Sequence, residues 1–175
     1  SDTAPVYFDG VRVPQEFRIG LEGEGFKMQM QQFQEERIFL SASSLVMLDD
    51  CVKQTISYCK DRNAFGKKVI ENQAIQFNLA ELQTEIESLR SLIYRACEEF
   101  IETGDMTYLA SMAKLKSGRL LRQTADICLQ YWGGMGFTWE NPIAKIYRDG
   151  RLMSIGGGTD EMMLKIICKH HGIGK

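Results

Sequence analysis

From Ile75 to Phe100 the apolar residues recur in strict alternation of four and three: Ile75, Leu79, Leu82, Ile86, Leu89, Ile93, Ala96 and Phe100. That spacing keeps one stripe on one side of an α-helix, and the period of a strand does not produce it. A helix of about seven turns with a single apolar seam has to bury that seam against other helices. Gly104 stops it, and Asp105 is placed to cap a third helix through Leu109, Met112, Leu115 and Leu120 to Gln130, ended by Gly133-Gly134. Upstream, about Phe26 to Lys60 runs without proline or glycine and predicts the first long helix, followed by a polar turn from Asp61 to Lys68 that contains Gly66. Asn141-Pro142 begins a shorter fourth helix through Ile146 to about Met153, and a fifth starts at Thr159 and fades into His170-His171-Gly172. Ahead of the helices, Val6-Tyr7-Phe8 and Val11-Arg12-Val13 flank Asp9-Gly10 as a short hairpin, too small to stand alone. The predicted fold class is all-α, an up-and-down helical bundle preceded by a short β remnant.

A chain of 175 residues, 44% of them hydrophobic, has a one-domain length and material for a real core. Its net charge of -2 gives no electrostatic reason to expect nucleic acid or an anionic membrane. No apolar run is long enough to cross a bilayer, and Ser1-Asp2-Thr3-Ala4-Pro5 carries neither the apolar core of a signal peptide nor an arginine-rich amphipathic stretch. Cys51, Cys59, Cys97, Cys128 and Cys168 are odd in number and widely spaced, which reads as buried thiols in a reducing compartment. A bundle can house a di-metal centre, but that needs glutamates with a histidine three residues on from two helices. Here both histidines, His170 and His171, lie at the carboxyl end, so no metal is expected, and no histidine is placed to activate a nucleophile.

Four places carry potential chemistry. Ile155-Gly156-Gly157-Gly158-Thr159-Asp160-Glu161 opens a helix, with glycines free to approach a ligand and Thr159 able to cap the helix, and it reads equally as a plain glycine turn. Glu36, in Glu35-Glu36-Arg37, follows Met30, Phe33 and Leu40 closely enough to face neighbouring helices in part, where a carboxylate makes a better base; the alternative is a solvated face. Arg62, before Asn63-Ala64-Phe65-Gly66-Lys67, is either a fork donor for a phosphate or a helix-end cation. Trp132-Gly133-Gly134-Met135-Gly136-Phe137 is either a turn that lets a flat ligand lie on backbone or a corner between helices.

In order along the chain, Arg62-Asn63-Ala64-Phe65-Gly66 with Gln73, Gln130 to Phe137, Asn141-Pro142 with Arg148-Asp149, and Ile155 to Glu161 resemble the carboxyl-terminal helical domain of the acyl-CoA dehydrogenase family. The likeness covers nearly the whole chain. It implies that residues 1–22 end a middle β-domain, that residues 23–175 form the helical domain, and that the rest of a longer enzyme lies upstream. In the family FAD lies between subunits of a homotetramer, a dimer of dimers. By resemblance, Arg62, Phe65 and Gln73 meet the pyrophosphate and adenosine of FAD held mainly by the partner subunit, Gln130 with Gly134 forms the adenine-side wall, and Thr159 and Glu161 contact the flavin of their own subunit.

The implied activity is α,β-dehydrogenation of an acyl-CoA: a carboxylate removes the pro-R α-proton while a hydride leaves the β-carbon for flavin N5. Many members carry that carboxylate in a Tyr-Glu-Gly-Thr loop, whereas this chain has Gly156-Gly157-Gly158-Thr159. In members such as isovaleryl-CoA and long-chain acyl-CoA dehydrogenases the base lies instead on the first long helix, immediately before an arginine. Glu36 matches that position, with Arg37 as a substrate-binding residue, while Glu35 points about 100 degrees away around the helix. Gly157 keeps its backbone amide, one of the two donors that the family aims at the thioester oxygen, the other being the ribityl 2'-hydroxyl. The resemblance further implies electron-transfer flavoprotein as acceptor, a mitochondrial matrix location in a eukaryote or the cytoplasm in a bacterium, and no activity for this chain alone. Alternatives are an acyl-CoA oxidase of the same fold and a non-catalytic helical assembly or binding domain.

Overall fold

The computed structural model describes residues 4–174. Residues 1–3 and 175, parts of the expected segments 1–22 and 23–175, lie outside the described residues. The elements are α1 (Gly25–Asp61), a two-stranded hairpin β1 (Asn63–Ala64) and β2 (Lys67–Lys68), α2 (Gln73–Thr103), α3 (Thr107–Trp132), α4 (Pro142–Asp149) and α5 (Asp160–His170). The expected bundle forms, with limits close to those read from the sequence. Gly104 ends α2 at φ 76°, in the left-handed conformation that glycine tolerates.

On α2 the seam is buried as its spacing requires, with Leu82, Ile86, Leu89 and Ala96 at most 1% exposed and Ile75 and Phe100 partly covered at the ends. Each fully buried leucine or isoleucine contributes roughly 1.5–3 kcal/mol. Cross-links set the directions of the helices. Asp49 pairs with Arg90, Glu85 with Lys116, and Asn78 Nδ2 donates to Tyr131 Oη, so α2 runs against both α1 and α3. Ser117 Oγ donates to Ser41 Oγ at 3.5 Å and Trp132 Nε1 to Thr55 Oγ1 at 3.0 Å, so α1 and α3 run parallel. At the other end of α3, Tyr108 stacks on His170, which sets α5 antiparallel to it.

The facing sides of α1 and α3 are lined with small residues: Ser41, Ser44, Cys51 and Thr55 against Ala110, Ala113, Ser117 and Cys128, all fully buried. Three of these hydroxyls bond within their own helix, Ser41 to Arg37 O, Ser44 to Ser41 O and Thr55 to Cys51 O, so the polar atoms cost little when the helices close on them. The Cys51 thiol is pushed up from its ordinary pKa by its hydrogen bond with Cys128 and by burial. No helix among the described residues is long and apolar enough to cross a membrane.

Two expectations differ from the structure. The opening hairpin does not form: residues 4–24 hold no strand, only a 3-10 turn at Gln15–Phe17. Val6, Tyr7, Phe8, Val11 and Val13 are 63–86% exposed, because this chain offers them no further strand and an isolated pair is marginal in water. The two-stranded piece lies instead at Asn63–Lys68, inside the polar turn. The fourth helix stops being α-helical at Asp149 and continues as a 3-10 turn, Gly150–Ser154, which lies against α3. Gly118 permits that approach, since a Cβ there would sit 2.7 Å from Ser154 Oγ and 2.9 Å from Met153 O.

Two stability measurements follow from these contacts. Gly118→Ala gains about 1 kcal/mol of helix propensity but drives a methyl into backbone, so a net loss of about 1 kcal/mol or more is expected in denaturant melts. Gly134→Ala, with nothing within 4 Å of its new methyl, should stay within about 0.5 kcal/mol of wild type. Asp105 Oδ1 accepts the Thr107 amide at 2.9 Å, and that bond holds its carboxyl below the usual range. The folded pKa lies below the unfolded one, so the carboxylate stabilises above the ordinary aspartate range and stops doing so as pH falls through the lowered value. The N-cap of α3 is Met106, one residue after the expected Asp105, and Asp105→Ala should cost about 0.5 kcal/mol at neutral pH, the low end for a side-chain bond at a helix start open to water. In strong acid the two melting curves should coincide.

Candidate functional site

The singled-out residues fall into two groups at opposite ends of the α1–α3 pair. Glu36 and Arg62 are 26 positions apart on one helix, so about 39 Å separates them at 1.5 Å per residue.

The first group is built around the glycine loop. Gly156 N donates to Leu152 O at 2.8 Å, which ends the 3-10 turn. Gly157 and Gly158 follow at φ 66° and 110°, conformations that a side chain rarely adopts. Thr159 then caps α5, its hydroxyl accepting the Met162 amide. The amides of Gly157, Gly158 and Thr159 donate to nothing among the described residues. Two buried cations meet the loop from behind. Arg37, 7% exposed, donates from Nε to Gly157 O at 3.2 Å, and Lys114, 0% exposed, donates from Nζ to Gly158 O. Burial pushes both below their ordinary pKa values, opposed by Glu36 at Arg37 and by Asp160 at Lys114. Asp160, 9% exposed, accepts from Arg122 at 3.0 Å and Arg119 at 3.4 Å.

Glu36 is half-buried and Glu35 exposed, the asymmetry expected around the helix. Glu36 lies one turn before Leu40, and residues four apart share a helix face, about 5–6 Å between Cβ atoms. Leu40 in turn packs on the loop, with its Cδ1 3.2 Å from where a Cβ on Gly157 would lie. Thus Glu36 is carried on the face that looks toward Gly157. Arg37, expected to meet substrate, is turned to the Gly157 carbonyl. Glu161 is exposed on the first turn of α5, and its own amide and the Thr159 hydroxyl hold its carboxyl below the usual range.

The second group joins the end of α1 to the end of α3. Thr55, Tyr58 and Arg62 line one face of α1. Tyr58 stacks on Trp132 at 4.0 Å, and Tyr58 Oη and Arg62 Nη1 both donate to Trp132 O, at 3.2 and 3.0 Å. Arg62 therefore lies against Gly133, whose missing side chain leaves it room: a Cβ would be 3.1 Å from Nη1. Nε and Nη2 of Arg62 have no hydrogen-bond partner among the described residues. Gly134 is exposed with open space beside it, and Gln130 and Gln73 are exposed. Phe65, at φ 52° on the hairpin tip, is fully exposed. No cluster of three metal-ligating side chains occurs among the described residues.

Lys114, Asp160 and the Thr55–Tyr58–Trp132 stack escaped the sequence reading. A signal for Lys114 was present, since it lies four residues after Ala110 and seven before Leu121 on the small-residue face of α3, where an ammonium group is out of place.

Residues 23–171 match the family model described as acyl-CoA dehydrogenase, C-terminal domain. Over 169 residues the chain is 38% identical to the long-chain specific acyl-CoA dehydrogenase, mitochondrial, of Mus musculus, covering 96% of this chain and 39% of that protein. A crystal structure of acyl-CoA dehydrogenase from Geobacillus kaustophilus superimposes with a TM-score of 0.91 at 35% identity, covering 94% of this chain and 43% of that one. An FAD complex of PigA superimposes with a TM-score of 0.85 at 26% identity, covering 95% and 43%. The chain thus spans about two-fifths of the length of these relatives. It belongs to the acyl-CoA dehydrogenase family, as a match to the C-terminal helical domain.

Proposed function

We propose that this chain is the C-terminal part of an FAD-dependent acyl-CoA dehydrogenase in which Glu36 is the base. The observation that carries the reading is the juxtaposition of Glu36, through Leu40, with a glycine loop that has free amides and no carboxylate of its own at residue 157. On this reading residues 1–22 close a preceding β-domain and residues 23–175 form the helical domain.

The residues present suit FAD. Arg62 keeps two unpaired donor nitrogens beside the open backbone of Gly134, a donor set for an anionic pyrophosphate. Phe65, Gln73 and Gln130 are exposed and free to meet its adenosine end. Thr159 and Glu161 stand at the other group, that of Glu36, which lies about 39 Å from Arg62 along α1. Residues so far apart serve one cofactor only if a second copy supplies one of the groups, which supports a homo-oligomeric site; the dimer of dimers proposed for the complete enzyme rests on the family resemblance. Bound FAD supplies the hydride acceptor for the β-carbon. Glu36 takes the α-proton, and the Gly157 amide donates to the thioester oxygen as negative charge builds there. Arg37 acts on the substrate side by way of the Gly157 carbonyl that it holds. Electron-transfer flavoprotein is the proposed acceptor, and the proposed location is the mitochondrial matrix in a eukaryote or the cytoplasm in a bacterium.

In the complete enzyme, Glu36→Gln should retain flavin and ligand yet slow anaerobic flavin reduction by acyl-CoA at least about a hundredfold. Glu35→Gln should change it little. An unimpaired Glu36→Gln enzyme sinks the assignment. Moving the base back to the loop, Glu36→Gly with Gly157→Glu, should recover little activity, because residue 157 sits at φ 66° with Leu40 at 3.2 Å. Adding Leu40→Ala should recover more.

Arg62→Ala should weaken FAD retention at least about tenfold, as expected for a charge-assisted bond, and loosen the oligomer with it. Flavin content after dilution and light scattering read the two effects. Full flavin occupancy in the variant makes Arg62 an ordinary surface cation.

A further inference from the structure

The peptide plane that carries the Gly157 amide, between Gly156 and Gly157, stands between two anchored planes. The plane before Gly156 is held by the bond from Gly156 N to Leu152 O, and the plane after Gly157 by the bond from Arg37 to Gly157 O. The next plane, between Gly158 and Thr159, is held at its carbonyl by Lys114. With φ at 66° and 110°, neither glycine is confined by sterics to one conformation. Without external anchors, this segment has the greatest conformational freedom in the site.

We propose that Lys114 is a positioning residue for the proposed dehydrogenation: it fixes the Gly158 carbonyl, and with Arg37 thereby aims the free amide of Gly157 at the thioester oxygen. The proposal rests on the functional reading given above. Lys114 is wholly buried on α3, behind the loop, and touches no substrate itself. Its stem fills the small-residue face beside Ala110, Ala113 and Ser117, a task that a neutral chain of similar length performs equally well. What the ammonium group adds is a charge-assisted bond to one backbone oxygen. Arg37, Asp160 and Glu161 are the charged groups around it, and Asp160 offsets part of the cost of burying the charge. An oxyanion donor stabilises developing charge in proportion to how well it is aimed before reaction, so a loop anchored at consecutive carbonyls outperforms a mobile one.

The test uses the complete flavin-loaded enzyme, wild type and Lys114→Met, with a 3-thia-acyl-CoA. Sulfur in place of the β-carbon leaves no β-hydride to transfer and acidifies the α-carbon, so the probe is deprotonated but not oxidised. The pH midpoint of its ionisation on the enzyme, read by absorbance, reports how well the oxyanion is stabilised. In Lys114→Met the midpoint should rise by about one unit or more, a tenfold loss. Flavin reduction by substrate should slow at least about tenfold, and affinity for a non-ionisable acyl-CoA analogue should hold within about threefold. Lys114→Arg, which keeps a charged donor, should recover part of the shift. An unchanged midpoint in Lys114→Met overturns the proposal, as does an equal loss in affinity for the non-ionisable analogue. Should Lys114→Met fail to fold, Lys114→Gln carries the same measurement; failure of all three variants to fold makes the residue a stability element and also overturns it. A wild-type enzyme that does not ionise the probe removes the functional reading itself, an outcome distinct from a variant that behaves like wild type.

Discussion

The close, parallel packing of α1 on α3 is the constraint on which the rest of the molecule depends. Two helices approach this closely only where their facing side chains are small: Ser41 meets Ser117, Thr55 meets the Trp132 indole, and Ser44, Ala110 and Ala113 are wholly buried along the same pair of helices. The hydroxyls of α1 are satisfied within their own helix, so closing the interface strands none of them. Because the helices are parallel and in register, matched positions arrive at the same level. Arg37 comes level with Lys114, and 18 residues further along each helix Thr55 comes level with Trp132. Both candidate groups are therefore consequences of one interface.

On the proposed assignment of Glu36 as base, that geometry also accounts for a division of labour between α1 and the glycine loop. A loop with a carboxylate side chain has to serve as base and as hydrogen-bond donor from the same backbone. In this chain the acid stands on α1 and the loop keeps only its amides. Leu40 and the left-handed conformation of Gly157 then leave little room for a side chain at that position. The anchoring of the loop falls to buried cations, which is unusual for a segment that a simple glycine turn would leave to water.

Membership of the acyl-CoA dehydrogenase family brings the two groups into one picture. Separated by about 39 Å along α1, they are, on the proposed reading, complementary halves of one site. One offers unpaired guanidinium donors and open backbone; the other offers an acid, free amides and a capped helix start. The chain spans about two-fifths of the length of its relatives, and on the proposed reading other parts of the complete enzyme supply the walls between the two groups.

The α2 seam, the stop at Gly104, the Asn141-Pro142 start and the Thr159 cap were legible in the sequence because each is a local matter of period, φ or capping. So was the motif order that gave the family, on which the proposed role of Glu36 rests. The opening alternation of Val6 to Val13 was legible as well, yet it forms no strand, because pairing needs partners that local pattern does not supply. What only the tertiary structure decided is how the helices meet. Serines and alanines carry no apolar period, so the α1–α3 interface left no readable seam. Lys114 falls on that face of α3, and its complete burial was decided only where α3 meets the glycine loop. The pairing of Arg62 with the Trp132 carbonyl spans 70 residues. Sequence reports what a residue can do with its neighbours in the chain; burial and contact between distant segments depend on how helices with several acceptable faces choose to pack.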